Sequence, residues 1–175
     1  MSSAYLAPEL RTCTANVLTP LGWLNGSFHI PRMQSLVDFL SSGSPILKFV
    51  RVRVPQENKL VAFVGLRRES VQLIEPTQPD EQIETPGFAG RTTQREVGVL
   101  IPSGIVRGRL DVLVNVRVSD FLRQQQGMAV LRGATLAGYG ADPAGAGIRR
   151  FHTVVVNLGQ VIGVAEAEGS GNHRR

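Results

Sequence analysis

One phrase occurs twice in this chain. VLTPLGWLNGSFHIPRMQSLVDFL at residues 17–40 returns as VLIPSGIVRGRLDVLVNVRVSDFL at residues 99–122, 82 positions later and without a gap. Eight positions are identical: Val17/Val99, Leu18/Leu100, Pro20/Pro102, Gly22/Gly104, Gly26/Gly108, Asp38/Asp120, Phe39/Phe121 and Leu40/Leu122. Others keep their character, as in Phe28/Leu110, Ile30/Val112 and Leu36/Val118. A repeat of this length demands a structural unit that is built twice. The chain has 175 residues and is 42% hydrophobic, enough for a packed core in one or two small domains.

The pattern inside each copy is that of short strands. In ILKFVRVRV (46–54), Val50, Val52 and Val54 alternate with Arg51 and Arg53, so the valines are expected on one side and the arginines on the other. LVAFVGL (60–66) and SVQLI (70–74) are β-type runs split by RRE, a spacing that predicts a hairpin. FHTVVVN (151–157), a turn at Leu158-Gly159-Gln160 and VIGVAE (161–166) are their second occurrence. The offset here reads as 91, which places nine extra residues in the Gly/Ala-rich stretch LAGYGADPAGAGIRR. Pro20-Leu21-Gly22 and Pro102-Ser103-Gly104 have the composition of tight turns. Gly26 and Gly108 then fall within the next strand, where glycine marks a bend or bulge. SLVDFLSS (35–42) and VSDFLRQQ (118–125) each carry an i, i+3, i+4 apolar face, with Ser35 and Ser119 as candidate N-caps.

These readings divide the chain into a first repeat at 11–75, a linker at 76–94, a second repeat at 95–166, and extended tails at 1–10 and 167–175. The linker region EPTQPDEQIETPGFAGRTTQ has three prolines and two glycines, against a strand or a helix. Charge follows the same division. Residues 11–74 carry +5, residues 75–94 carry −3 and residues 95–165 carry +4. Of the 19 basic residues 17 are Arg, and Arg51, Arg53, Arg67, Arg68, Arg107, Arg109, Arg149 and Arg150 are the candidate contacts for an anion or an acidic partner. Aligned into stripes, they would hold phosphate without regard to sequence.

The order of elements resembles small bacterial Sm-like or SH3-like β-barrels. It carries the pattern G-x-x-x-G-x-[hydrophobic]-x-[hydrophobic], followed by a D-F-L phrase, over residues of about 13–75 and 95–166. The resemblance implies a mainly β fold of two tandem barrels, each with one short helix. Gly22, Gly26, Asp38, Phe39 and Leu40, with Gly104, Gly108, Asp120, Phe121 and Leu122, are then the residues that define the repeat. Sm-like modules pair edge strands with one another, and a fused pair would hide some of those edges. The whole pattern is also similar to a small cytoplasmic accessory subunit of a bacterial photosynthetic reaction-centre and antenna complex.

Catalytic and metal-binding patterns are scarce. His29, His152 and His173 stand apart in sequence, and His29 is expected to face outward. Cys13, the single cysteine, precedes the first strand in this reading and is expected to be a buried spectator. Asp38 and Asp120 fit local hydrogen bonds near helix starts better than a catalytic pair. The glycines at 138, 140, 145 and 147 do not open a helix after a strand, as a phosphate cradle would. No cofactor or metal is expected. The sequence therefore points to a non-catalytic scaffold or assembly subunit of a larger, membrane-associated complex, with other protein subunits and an anionic membrane surface as partners. The expected location is cytoplasmic, on the inner face of the membrane, since no signal sequence or spanning run is read. The alternative is an Sm-like RNA-binding regulator, although the Asp and Met-Asn phrase of that family is not matched in residues 26–40. A small-ligand module or cryptic enzyme is a third reading.

Overall fold

The computed structural model describes residues 9–54, 59–78, 83, 90–125, 127–139 and 147–166. The first repeat runs β1 (Leu10–Thr19), β2 (Gly22–Pro31), α1 (Leu36–Ser41), β3 (Ile46–Val54), β4 (Lys59–Arg67), a 3-10 turn (Arg68–Ser70) and β5 (Leu73–Pro76). The second runs β6 (Thr92–Ile101), β7 (Gly104–Leu113), α2 (Val118–Gln124), β8 (Met128–Gly138), β9 (Ile148–Asn157), a 3-10 turn (Leu158–Gln160) and β10 (Gly163–Glu166). The fold is mainly β. All ten strands join one antiparallel sheet in the order β10-β6-β7-β8-β9-β5-β1-β2-β3-β4.

The expected terminal hairpins do not form. β4 pairs with β3, whereas β5 crosses to pair with β1, and β10 likewise pairs with β6. The 3-10 turns carry the chain across instead of folding it back. Gln72 N–H donates to Leu18 O at 2.8 Å, and Ile162 N–H donates to Leu100 O at 2.8 Å, which starts the same crossing in each repeat. Strand register also corrects the insertion. Ile46 faces Arg67 and Met128 faces Asn157, so the offset past the insertion is 90 and the extra residues are eight. Residues 140–146 of that stretch, including Gly140 and Gly145, lie outside the described residues.

Each repeat bends at the same place. The β2–β3 register shifts between Asn25 and Ser27, and the β7–β8 register shifts between Arg107 and Arg109. The extra residue of each bulge takes left-handed backbone: Arg51 at φ 51° and its counterpart Gly133 at φ 55°. The bulge breaks the alternation read from sequence only at Val50; Val52 and Val54 face the core, and Arg51 and Arg53 are exposed, as expected. Leu47, Phe49 and Val52 reach the core, while Val50 turns to the outer surface beside His29 and Phe63. Gly26 sits beneath this crossing, where a Cβ would come within 2.8 Å of the Phe49 ring. Gly108 meets Ala134 in the same way, at 2.9 Å.

Two cores result, and each borrows from the other repeat. Phe28, Leu36, Leu40, Phe49 and Ile74 build the first, joined by Met128, Val130 and Val155 of the second repeat. Val106, Leu110, Phe121, Val154 and Val156 build the second, joined by Leu18 and Leu73 of the first. The sheet face that lines one core thus becomes the outside of the other. Full burial of each such side chain stabilises by about 1.5–3 kcal/mol.

Several boundaries shift from the sequence reading. Cys13 lies within β1, fully buried, not ahead of it. Leu10 begins β1 and so is not tail, Pro76 ends β5, and Thr92 to Gln94 belong to β6 rather than to the linker. Ser35 caps α1, accepting from Asp38 N–H at 3.1 Å. Ser119 does not cap α2; the capping position belongs to Arg117, and Ser119 is a residue of the first turn. The remaining tail residues, 1–8 and 167–175, and most of the linker, with Asp80, Glu81 and Glu84, lie outside the described residues. Among the described residues no helix is long and apolar enough to cross a membrane.

Candidate functional site: two grooves and the junction between repeats

The bend in each repeat leaves a shallow groove on the outer surface. In the first repeat it is lined by Thr14, Asn25, Ser27, His29, Arg51 and Arg53. In the second it is lined by Glu96, Arg107, Arg109, Gly133, Thr135 and Glu166. The two are equivalent under the 82-residue offset, but the arginines come from opposite strands. Arg51 and Arg53 stand on β3 in the first, and Arg107 and Arg109 stand on β7 in the second. Among the described residues no carboxylate lines the first groove, and Arg51 and Arg53 are exposed there. The second groove holds two carboxylates beside its arginines, Glu96 and Glu166, the latter 4.0 Å from Arg95.

The other four arginines stand elsewhere. Arg67 pairs with Glu69 at 2.6 Å on the exposed turn after β4, and both line a shallow cavity with Arg68, Pro45 and Ile46. Arg150 is exposed on β9. Arg149 turns into the junction between repeats, where it bonds Glu75 and stacks over Trp23 at 3.9 Å from the ring centroid. Phe151 lies against the same indole, with centroids 5.9 Å apart. A polar chain leads from the first groove to this point: Asn25 donates to Asn16 at 2.9 Å, Asn16 donates to Glu75 at 2.9 Å, and Glu75 holds Arg149. The eight arginines therefore divide among separate places and do not make a single stripe.

The junction itself is a strand contact sealed by buried polar groups. β5 pairs with β9 through Leu73↔Val156 and Ile74↔Val155. Asn157 is buried, and its amide donates to Arg68 O at 2.9 Å and Val71 O at 2.8 Å while accepting from Gly159 N–H at 3.0 Å. Gln72, also buried, accepts from Ser103 N–H at 3.0 Å, and its carbonyl accepts from Asn157 N–H at 3.0 Å. A buried amide with both its atoms bonded, as in Asn157, fixes a geometry more sharply than apolar contact does. Sequence reasoning missed Gln72, Trp23, Glu75 and Asn157. Only their opposite neighbours in the fold reveal them, and these lie far away in sequence, as Phe151 does from Trp23.

No family model, curated protein or solved structure matches this chain. The function must be argued from its own geometry. His29 and His152 are both exposed, on β2 and β9. Asp38 accepts from Ser35 Oγ at 2.7 Å within the α1 cap, and Asp120 pairs with Arg123 at 3.2 Å on α2. His173 lies outside the described residues. Among the described residues, no three His, Cys, Asp or Glu side chains gather as a metal would require.

Proposed function

We propose that the chain is a non-catalytic scaffold subunit of a larger assembly, built from two tandem Sm-like (SH3-like) barrels that remain partly open. The observation that carries this reading is the junction, where one sheet runs through both repeats. Buried Asn157 and Gln72 lock it, so the two halves make one rigid body rather than two tethered modules. Such a body holds its outer strands and grooves at fixed spacing, which is what an assembly subunit supplies to its neighbours. The strand order within each half, β5-β1-β2-β3-β4 and β10-β6-β7-β8-β9, together with the shared bulge, supports the barrel reading.

The net charge of +5 favours an acidic partner or the anionic face of a membrane. A membrane complex, with a photosynthetic reaction-centre complex as the candidate raised by the sequence resemblance, is the assembly to look for first. Gentle purification of the tagged protein from its own cells, in mild detergent, tests this. Stoichiometric membrane proteins are the expected companions. Recovery of the chain alone with bound RNA would overturn the scaffold reading in favour of the Arg51/Arg53 groove as a nucleic-acid contact.

A further inference from the structure

The junction inside the chain joins unlike strands. β5 is the last strand of its repeat, and β9 is the fourth of its own. A contact of this kind uses two different surfaces, so each repeat carries one of each. The counterpart of β9 in the first repeat is β4, and the counterpart of β5 in the second is β10. These are the two outer strands of the sheet. Each chain thus bears both halves of its own junction a second time, unjoined among the described residues.

The side chains on these edges fit that description. Ile46 is 44% exposed, Phe63 53%, Ile162 66% and Val164 37%. Their counterparts Met128, Thr153, Gln72 and Ile74 are all buried at the junction. The offsets convert the observed pair Ile74↔Val155 into Val164 opposite Gly65. Gly65 has the Ile46 side chain 3.1 Å and the Phe63 ring 3.8 Å from where its Cβ would be. The exposed Ile46 and Phe63 side chains thus flank Gly65 and give the β4 edge an apolar surface opposite Val164. The surface continues along the groove lined by Leu10, Phe39, Ile46, Val50 and Phe63. On the other side, Ser119 of α2 is exposed and Leu122, packed against the second core, is partly so, whereas their counterparts Val37 and Leu40 are buried in the first core, which Met128 joins.

We infer that a second copy of this chain docks its β10 edge on the β4 edge of the first, repeating between chains the contact that each chain makes within itself. The polar lock is not repeated. Arg67 stands in the place of Asn157, Lys59 in that of Arg149, and Ala165 in that of Glu75. The contact between chains accordingly lacks the buried amides and the Glu75–Arg149 pair of the internal one, and is weaker and reversible. Unlike surfaces at the two ends give a ring or a filament, depending on whether the rotation closes.

Sedimentation velocity of the purified full chain tests this without reference to other partners, so its outcome is separate from that of the scaffold reading. The expected result is a mass above the 19.0 kDa of one chain, rising with concentration up to about 100 µM. Phe63→Lys and Val164→Lys each place a charge on one edge only and should each give monomers. Mixed in equal amounts, they should give dimers and nothing larger, because the first retains β10 and the second retains β4. Ile162→Lys replaces Val164→Lys should the latter lose the wild-type melting midpoint. A monomeric wild type, oligomers that survive both substitutions, or no dimer on mixing would each overturn the inference.

Discussion

At the scale of single residues, the bulge is where backbone and side chain disagree most. Arg51 holds φ 51° with a Cβ, at a position where the second repeat has Gly133. Left-handed backbone costs an L-residue about 1–2 kcal/mol, and glycine gives back part of that through chain entropy. Arg51→Gly should therefore raise stability by about 0.5–1 kcal/mol, seen as a higher urea midpoint with an unchanged slope. Gly26→Ala should do the opposite. Its methyl would meet the Phe49 ring at 2.8 Å and Val50 O at 3.0 Å, a steric cost of about 1–3 kcal/mol by the same measurement. The glycine is legible in sequence as a bend. The arginine is not, because Arg51 sits in a run of alternating residues that gives no sign of an extra one.

At the scale of elements, helix ends and the junction strands carry the predictions. Ser35→Ala removes the α1 cap and should cost about 1 kcal/mol. Ser119→Ala, on an exposed helical position without a cap bond, should stay within about 0.5 kcal/mol of wild type. Asn157→Ala strips the partners from Arg68 O and Val71 O and should cost about 2 kcal/mol, with Asn157→Asp worse because a carboxylate would face two carbonyls. Thermal melts of the four variants separate these outcomes. The order of elements was readable because hydrophobic period and turn residues are local signals. Leu36, Phe39 and Leu40 marked α1 in this way, as did Pro20 and Gly22 the first turn. The pairing of β5 and β10 was not. The residues between β4 and β5 have the composition of a hairpin turn, and only contact with β1, more than 50 residues away, decides that the chain crosses instead. The junction was hidden for the same reason: Trp23, Glu75, Arg149 and Phe151 share no local pattern.

For the whole molecule, the exchange of core residues predicts a single folding event. Met128, Val130 and Val155 complete the first core, and Leu18 and Leu73 complete the second. Calorimetry should show one transition with calorimetric and van't Hoff enthalpies in agreement. A chain cut to residues 1–78 or to 90–175 should lack that transition, because each half would expose the groups the other covers. Two separate peaks in the intact chain would refute the shared-core account. The same arrangement makes gene order matter. The two halves share one order of elements, yet they are not interchangeable. A gene with the second half placed first would lay β10 against β4 in the middle of its product. Ile74, Val155 and Asn157, shaped for concealment, would then stand bare at its ends. The difference between their edges gives the polypeptide a direction, and with it an order of halves that cannot be exchanged without cost.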